Sequence, residues 1–191
     1  MKKLFYTLAT LILMSVMFAA CGVNNENEKK DPPKVLVAYF SASGNTRRVS
    51  ADIAKIMNGT LHEIVPAELY SNKDLDWTDS LSRSYIEMHD PISRPETVDS
   101  VADMDSYDIV FLGFPIWWGV APHVVNTFIE KNNLKDKTIV VYATSGGSRV
   151  EPALDSLMKQ YPDLKWNTYP RLLNVASEAG LKKWKDGLGI E

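Results

Sequence analysis

The sequence predicts a doubly wound α/β domain around a parallel sheet, and three observations predict it. Short continuous apolar runs such as Val35–Phe40, Ile109–Phe114 and Thr138–Thr144 suit strands buried on both faces, because a strand with one wet face alternates instead. Between the runs, apolar residues recur at helical spacing. Strands alternating with helices require right-handed crossovers, and those place helices on both faces of the sheet.

The elements follow in order. Val35–Phe40 is the first strand, and small polar residues, Ser41 to Thr46, come next. Val49, Ile53, Ile56 and Met57 mark the first helix, which Asn58-Gly59 stops. Leu61 to Val65 reads as the second strand. The third, Ile109–Phe114, is entered through Asp105–Asp108. Val124, Val125, Phe128 and Ile129 define a helix opening near Pro122, a residue that suits the first helical position. Thr138–Thr144 is the fourth strand. A short helix behind Pro152 carries Leu154, Leu157 and Met158. A weaker fifth strand lies within residues 164–175, and Leu181, Trp184 and Leu188 give a closing helix.

One stretch breaks the alternation. Pro66 to Val98 is too long for a simple connection. Its Trp77, Tyr85 and Met88 are expected to pack, with a helix over Thr78–Met88 capped by Thr78 or Asp79. The run from Asp74 fails as an EF-hand: its sixth position is Asp79 rather than Gly, and its twelfth is Tyr85 rather than Glu.

Composition narrows the classes. The 191 residues, 45% hydrophobic and 24% charged, fit one globular domain. A formal charge of −3 gives no reason to expect nucleic-acid binding. The single cysteine, Cys21, cannot form a disulfide framework or a cysteine zinc site. His62, His89 and His123 lack metal-ligand spacing, and no metal is expected. All three read as surface residues. His123 also lies beside a loop of interest, where it would be placed to donate to a substrate oxygen.

The first twenty residues stand apart. Lys2 and Lys3 precede an uncharged, mostly apolar run from Leu4 to Ala20, the pattern of a secretory signal. Phe18-Ala19-Ala20-Cys21-Gly22 resembles a bacterial lipoprotein processing site, in which Cys21 is lipidated and becomes the first residue. A plain signal peptide and an uncleaved anchor are the alternatives. All three readings place the domain outside the cytoplasm, in the cell envelope, and the first and last tie it to a membrane. Removing residues 1–20 takes away two lysines and moves the formal charge from −3 to −5. Residues 21–33 are polar, with Pro32-Pro33 at their end, and read as the anchor cysteine and a solvated tether. The domain is expected over 34–191.

Chemistry in such a sheet belongs beyond the carboxyl ends of the strands, at the switch point. Three unusual loops fall there. Ser41-Ala42-Ser43-Gly44-Asn45-Thr46 sits between a buried strand and a helix. The helix N-terminus favours an anion, Gly44 permits a tight turn, and the hydroxyls of Ser41, Ser43 and Thr46 can donate to phosphate oxygens. The loop has no lysine and matches neither GxxxxGK[ST] nor GxGxxG, so it suits a terminal phosphate held without a metal. An ordinary side-chain-capped helix start is the alternative. Pro115-Ile116-Trp117-Trp118-Gly119 offers adjacent indoles in a turning segment, a surface for a planar ligand, with one buried and one interface tryptophan as the alternative. Ser145-Gly146-Gly147-Ser148 allows close backbone approach, although by itself it reads as a plain turn.

Together these loops resemble one family. Ser41 to Thr46 is similar to the phosphate loop of flavodoxins. Gly113–Gly119 and Thr144–Ser148 are similar to the two ring-binding loops of bacterial flavodoxin-like proteins, and Arg83–Glu87 with Arg94-Pro95 resembles that branch's insertion. The resemblance spans roughly residues 34–188. It implies the five-stranded flavodoxin fold, order 2-1-3-4-5, with non-covalent FMN. Ser41, Ser43, Gly44, Asn45 and Thr46 would hold the phosphate. Residues Pro115, Ile116, Trp117, Trp118 and Gly119, with Ser145, Gly146, Gly147 and Ser148, would flank the isoalloxazine. Two departures stand out: electron-shuttle flavodoxins are generally more acidic, which steers them to basic partners, and most are cytosolic.

The expectation is therefore an FMN-dependent electron carrier, or a reductase of a quinone-like acceptor, that needs no catalytic side chain. Its partner would be a redox protein or a quinone-like small molecule. A flavin-capturing lipoprotein and a non-redox binding module on the same fold are the alternatives.

Overall fold

A computed structural model describes residues 31–98 and 100–190. The signal segment, Cys21 and most of the tether lie outside the described residues. Five strands form one parallel sheet: β1 (Val35–Tyr39), β2 (Thr60–Glu63), β3 (Ile109–Pro115), β4 (Thr138–Thr144) and β5 (Lys165–Leu172). Their order is β2-β1-β3-β4-β5, the order that the resemblance implies. Five α-helices are described: α1 (Asn45–Met57), α2 (Arg83–His89), α3 (His123–Lys131), α4 (Glu151–Gln160) and α5 (Glu178–Gly187).

The continuous apolar runs are central strands. Successive residues of β1 point to opposite faces, and both faces are covered. Leu36, Ala38, Val110, Leu112, Val141 and Ala143 join Val125 and Phe128 of α3 and Leu154 and Leu157 of α4. Val37, Tyr39, Phe111, Val140 and Tyr142 join Val49 and Ile53 of α1 and Leu181 and Trp184 of α5. The edge strands are the ones whose sequence signal is weak. β2 has no fully buried residue, and β5 is largely exposed with a register irregularity opposite Val140–Tyr142. An edge strand has only one neighbour and less apolar area to bury, so its pattern is diluted.

The insertion departs from expectation. The helix begins at Arg83 under a Ser82 cap, not at Thr78. The reason is local. Asp76 Oδ1 accepts from the Thr78 N–H and hydroxyl, and Asp79 Oδ1 accepts from the Leu81 N–H. These side chains offer the backbone turns in place of helix. Trp77 is 72% exposed and does not pack, whereas Tyr85 and Met88 are half-buried. Pro122 stands at the N-cap of α3, one position before that expected.

Candidate functional site

β1 and β3 are neighbours, yet α1 and α3 pack on opposite faces, so the loops following them diverge at the carboxyl end of the sheet. The loop after β4 stands next in line. The three sequence-singled segments thus share one end of the sheet, in the order 41–46, 115–121, 145–148.

The first loop ends in an uncapped helix. Gly44 is the N-cap of α1, at φ 85°, and no side chain caps it. The alternative reading, a Ser or Thr cap, is thereby removed. Arg48 N–H is the first to bond back, to the Gly44 carbonyl at 3.2 Å. The N–H groups of Asn45, Thr46 and Arg47 have no intrahelical acceptor, by helix geometry. Ser41 Oγ is enclosed and has no hydrogen-bond partner. A buried hydroxyl without a partner is costly and calls for a ligand or water. Ser43 is exposed and accepts from Asn45 Nδ2 at 3.3 Å.

Thr46 is different from the other hydroxyl residues of the loop. It is only 1% exposed, and its Oγ1 shares a 2.9 Å hydrogen bond with Thr144 Oγ1 at the end of β4. Beneath it, Ser50 Oγ donates to the Thr46 carbonyl at 2.7 Å, so the 2.7 Å bond between Tyr142 OH and Ser50 Oγ uses the tyrosine proton. Burial pushes the Tyr142 phenol far up, so it remains a neutral donor. This stack fixes the first turn of α1 onto β4. It also explains Gly113, whose register partner is Tyr142: a Cβ there would stand 2.1 Å from the tyrosine ring.

The second loop contains a tight reversal. Trp117 and Val120 exchange two backbone hydrogen bonds of 3.0 Å. Between them, Trp118 (φ 46°) and Gly119 (φ 84°) both take positive φ, the pattern of a type I′ turn. Such a turn sends the two indoles apart. Trp117 is half-buried, edge-on to Phe40 (5.5 Å) and Tyr70 (5.2 Å). Trp118 is 40% exposed, edge-on to Tyr85 (5.8 Å) and His89 (5.6 Å) of α2. Ile116 packs on the core, and its N–H donates to the Thr144 carbonyl at 2.9 Å.

The third loop is held from inside and from one side. Ser145 Oγ accepts from Gly147 N–H (3.1 Å) and Ser148 N–H (2.7 Å). Asn174, after β5, grips both sides of Ser145: its Oδ1 accepts from Ser145 N–H at 2.8 Å, and its Nδ2 donates to the Ser145 carbonyl at 2.6 Å. Arg48 of α1 donates to the Asn174 carbonyl at 3.1 Å, which links the first and third loops. Space is open beside Gly146 and Gly147, so a flat ligand can approach the backbone there.

The insertion braces the second loop. The Tyr70 hydroxyl donates to Glu87, and Arg83 both pairs with Glu87 (2.6 Å) and lies 4.3 Å over the Tyr70 ring. Burial and the Glu87 carboxylate push the Tyr70 phenol well up. His89 is exposed, yet its ring stacks on Tyr85 at 3.8 Å. His62 and His123 are both half-buried, in contrast to the surface positions expected of them. The His62 ring is 5.9 Å from that of Phe128. His123 has a buried Nδ1, and burial, then the Arg94 charge, holds its imidazole below the usual range.

Asn174, Tyr70 and Tyr142 are contributors that sequence reasoning did not find. Each acts across a long sequence separation, and none sits in a motif.

A search of curated proteins finds no match. Two solved structures are 44% identical: a Bacteroides eggerthii protein named as a flavoprotein (TM-score 0.81; 83% of this chain, 99% of that one) and a Bacteroides uniformis protein so named (0.78; 81% and 99%). A Lactobacillus acidophilus flavoprotein, solved in complex with FMN, shares the fold at 21% identity (0.62; 80% and 99%). A family profile described as Flavodoxin matches residues 34–188, and this chain belongs to the flavodoxin family.

Proposed function

We propose that this chain is an FMN-binding redox protein that carries electrons or reduces a quinone-like acceptor. One observation carries the reading. The α1 N-terminus, uncapped by any side chain, and the partnerless Ser41 hydroxyl lie at the switch point, two loops from an open diglycine and one from an exposed tryptophan. The N–H groups of Asn45, Thr46 and Arg47 and the hydroxyls of Ser41 and Ser43 would bind the phosphate; one partner of the Thr46–Thr144 pair has a proton to spare for it. The Trp118–Gly119 turn and Gly146-Gly147 would flank the ring. Bound flavin supplies the one- and two-electron chemistry. The protein's residues would orient it and exclude water on the core side. The FMN in the Lactobacillus acidophilus relative supports the reading from the fold. Cys21 would tether the domain outside the inner membrane. There NAD(P)H is absent, and a membrane quinol or another redox protein would be the donor.

Titration of the purified protein with FMN, riboflavin and FAD, followed by absorption and calorimetry, tests this. The expected order is FMN tightest, because the loop closes round a terminal phosphate. Absence of FMN binding, or equal affinity for riboflavin, refutes it. Reversible electrochemical cycling of the bound flavin separates a redox role from mere capture.

A further inference from the structure

The first loop holds no cationic residue, yet a guanidinium lies over it. Arg47 is in the first turn of α1, three residues after the Gly44 cap. Its Nε donates to Glu63 Oε2 at 3.2 Å and its Nη2 pairs with Glu63 Oε1. Tyr39 OH donates to the same carboxylate at 3.1 Å, which fixes Glu63 at the end of β2. Those contacts use one edge of the guanidinium. The remaining nitrogen, Nη1, lies 4.0 Å from where a Cβ on Gly44 would stand, and no other described atom outside Ser43–Asn45 comes that near.

We infer that Arg47 is a phosphate-recognition residue: Nη1, aimed at the Gly44 turn by the Glu63 clamp, supplies the positive charge that the loop otherwise lacks. The inference rests on the FMN reading and names the group that selects the phosphorylated flavin. Glu63 does not cancel the effect. Its oxygens take Nε and Nη2, which leaves Nη1 on the Gly44 side of the guanidinium. The clamp also orders a long side chain before the ligand arrives, which lowers the entropic cost of the contact. Because Arg47 is 55% exposed on its side chain, the contact is weaker than a fully enclosed one.

The test is a set of FMN and riboflavin titrations of the full-length protein, its Arg47→Gln variant and its Arg47→Lys variant, over a range of salt. For Arg47→Gln the expected result is a roughly tenfold loss of FMN affinity, between the values for exposed and enclosed charged contacts. Riboflavin affinity stays unchanged, and the salt dependence of FMN binding becomes shallower. Arg47→Lys should recover most of the salt dependence. A parallel loss of FMN and riboflavin would mean that Arg47 only shapes the loop, and unchanged FMN affinity would mean that it does not reach the phosphate; either overturns the inference. Parent protein that fails to prefer FMN refutes the function proposed above as well, whereas a preference that survives Arg47→Gln intact refutes the role of Arg47 alone.

Discussion

Replacing each tryptophan of the 117–118 pair by Ala should produce opposite phenotypes. Trp117 is half-buried and packs edge-on against Phe40 and Tyr70. Truncating a fully buried tryptophan costs about 3–5 kcal/mol, so a half-buried one should cost about 2–3 kcal/mol. In a domain of this size that lowers Tm by roughly 5–10 °C. Trp118 is 40% exposed and meets Tyr85 and His89 edge-on. Its Ala variant should lose about 1 kcal/mol or less of stability. A glycine there should recover part of that loss, since φ is 46° and glycine takes positive φ without strain. Flavin binding should rank the other way. If Trp118 stacks on the ring, Trp118→Ala weakens FMN by about 1–3 kcal/mol and brightens flavin emission, because an electron-rich face no longer quenches it. Chemical denaturation of the ligand-free protein and fluorescence titration with FMN measure both. Equal stability losses would refute the inward–outward division. FMN binding and emission unchanged in both Ala variants would show that the pair is structural.

Other outcomes follow from the same contacts. Gly113→Ala drives a methyl into the Tyr142 ring at 2.1 Å, so it should destabilise by about 1–3 kcal/mol in urea denaturation, and a loss below about 0.5 kcal/mol would contradict the close approach. Asn174→Ala removes both hydrogen bonds to Ser145 and, if residues 145–148 flank the ring and residues 41–46 hold the phosphate as proposed, should weaken riboflavin and FMN to a similar degree, about 1–2 kcal/mol by calorimetry. Cys21→Ser should abolish incorporation of labelled palmitate, and labelling that persists would contradict lipidation at that residue.

The alternation of strands and helices was legible in the sequence, and so were the three loops that the fold gathers at one end of the sheet. Buried parallel strands leave continuous apolar runs, helices leave a 3.6-residue period, and both signals are local. Ser41–Thr46 and Gly113–Gly119 were legible for the same reason, since a tight turn before a helix and a Pro- and Gly-bounded indole pair need contiguous residues. Tertiary structure decided what those residues do. It turned Thr46 inward to Thr144, separated Trp117 from Trp118 through two positive-φ positions, and brought Asn174 across 29 residues to hold Ser145. It also placed the Arg47 guanidinium between Glu63 and the Gly44 turn. The Thr46–Thr144, Ser145–Asn174 and Arg47–Glu63 contacts join different elements, set by sheet order and register, and no short window of the chain contains both partners. The 117–120 turn is local, but its backbone dihedrals leave no pattern in the side chains. Trp77 shows the limit from the other side: an aromatic residue in a long insertion reads as core material, but side-chain turns at Asp76 and Asp79 kept its segment out of the helix and left the indole in solvent.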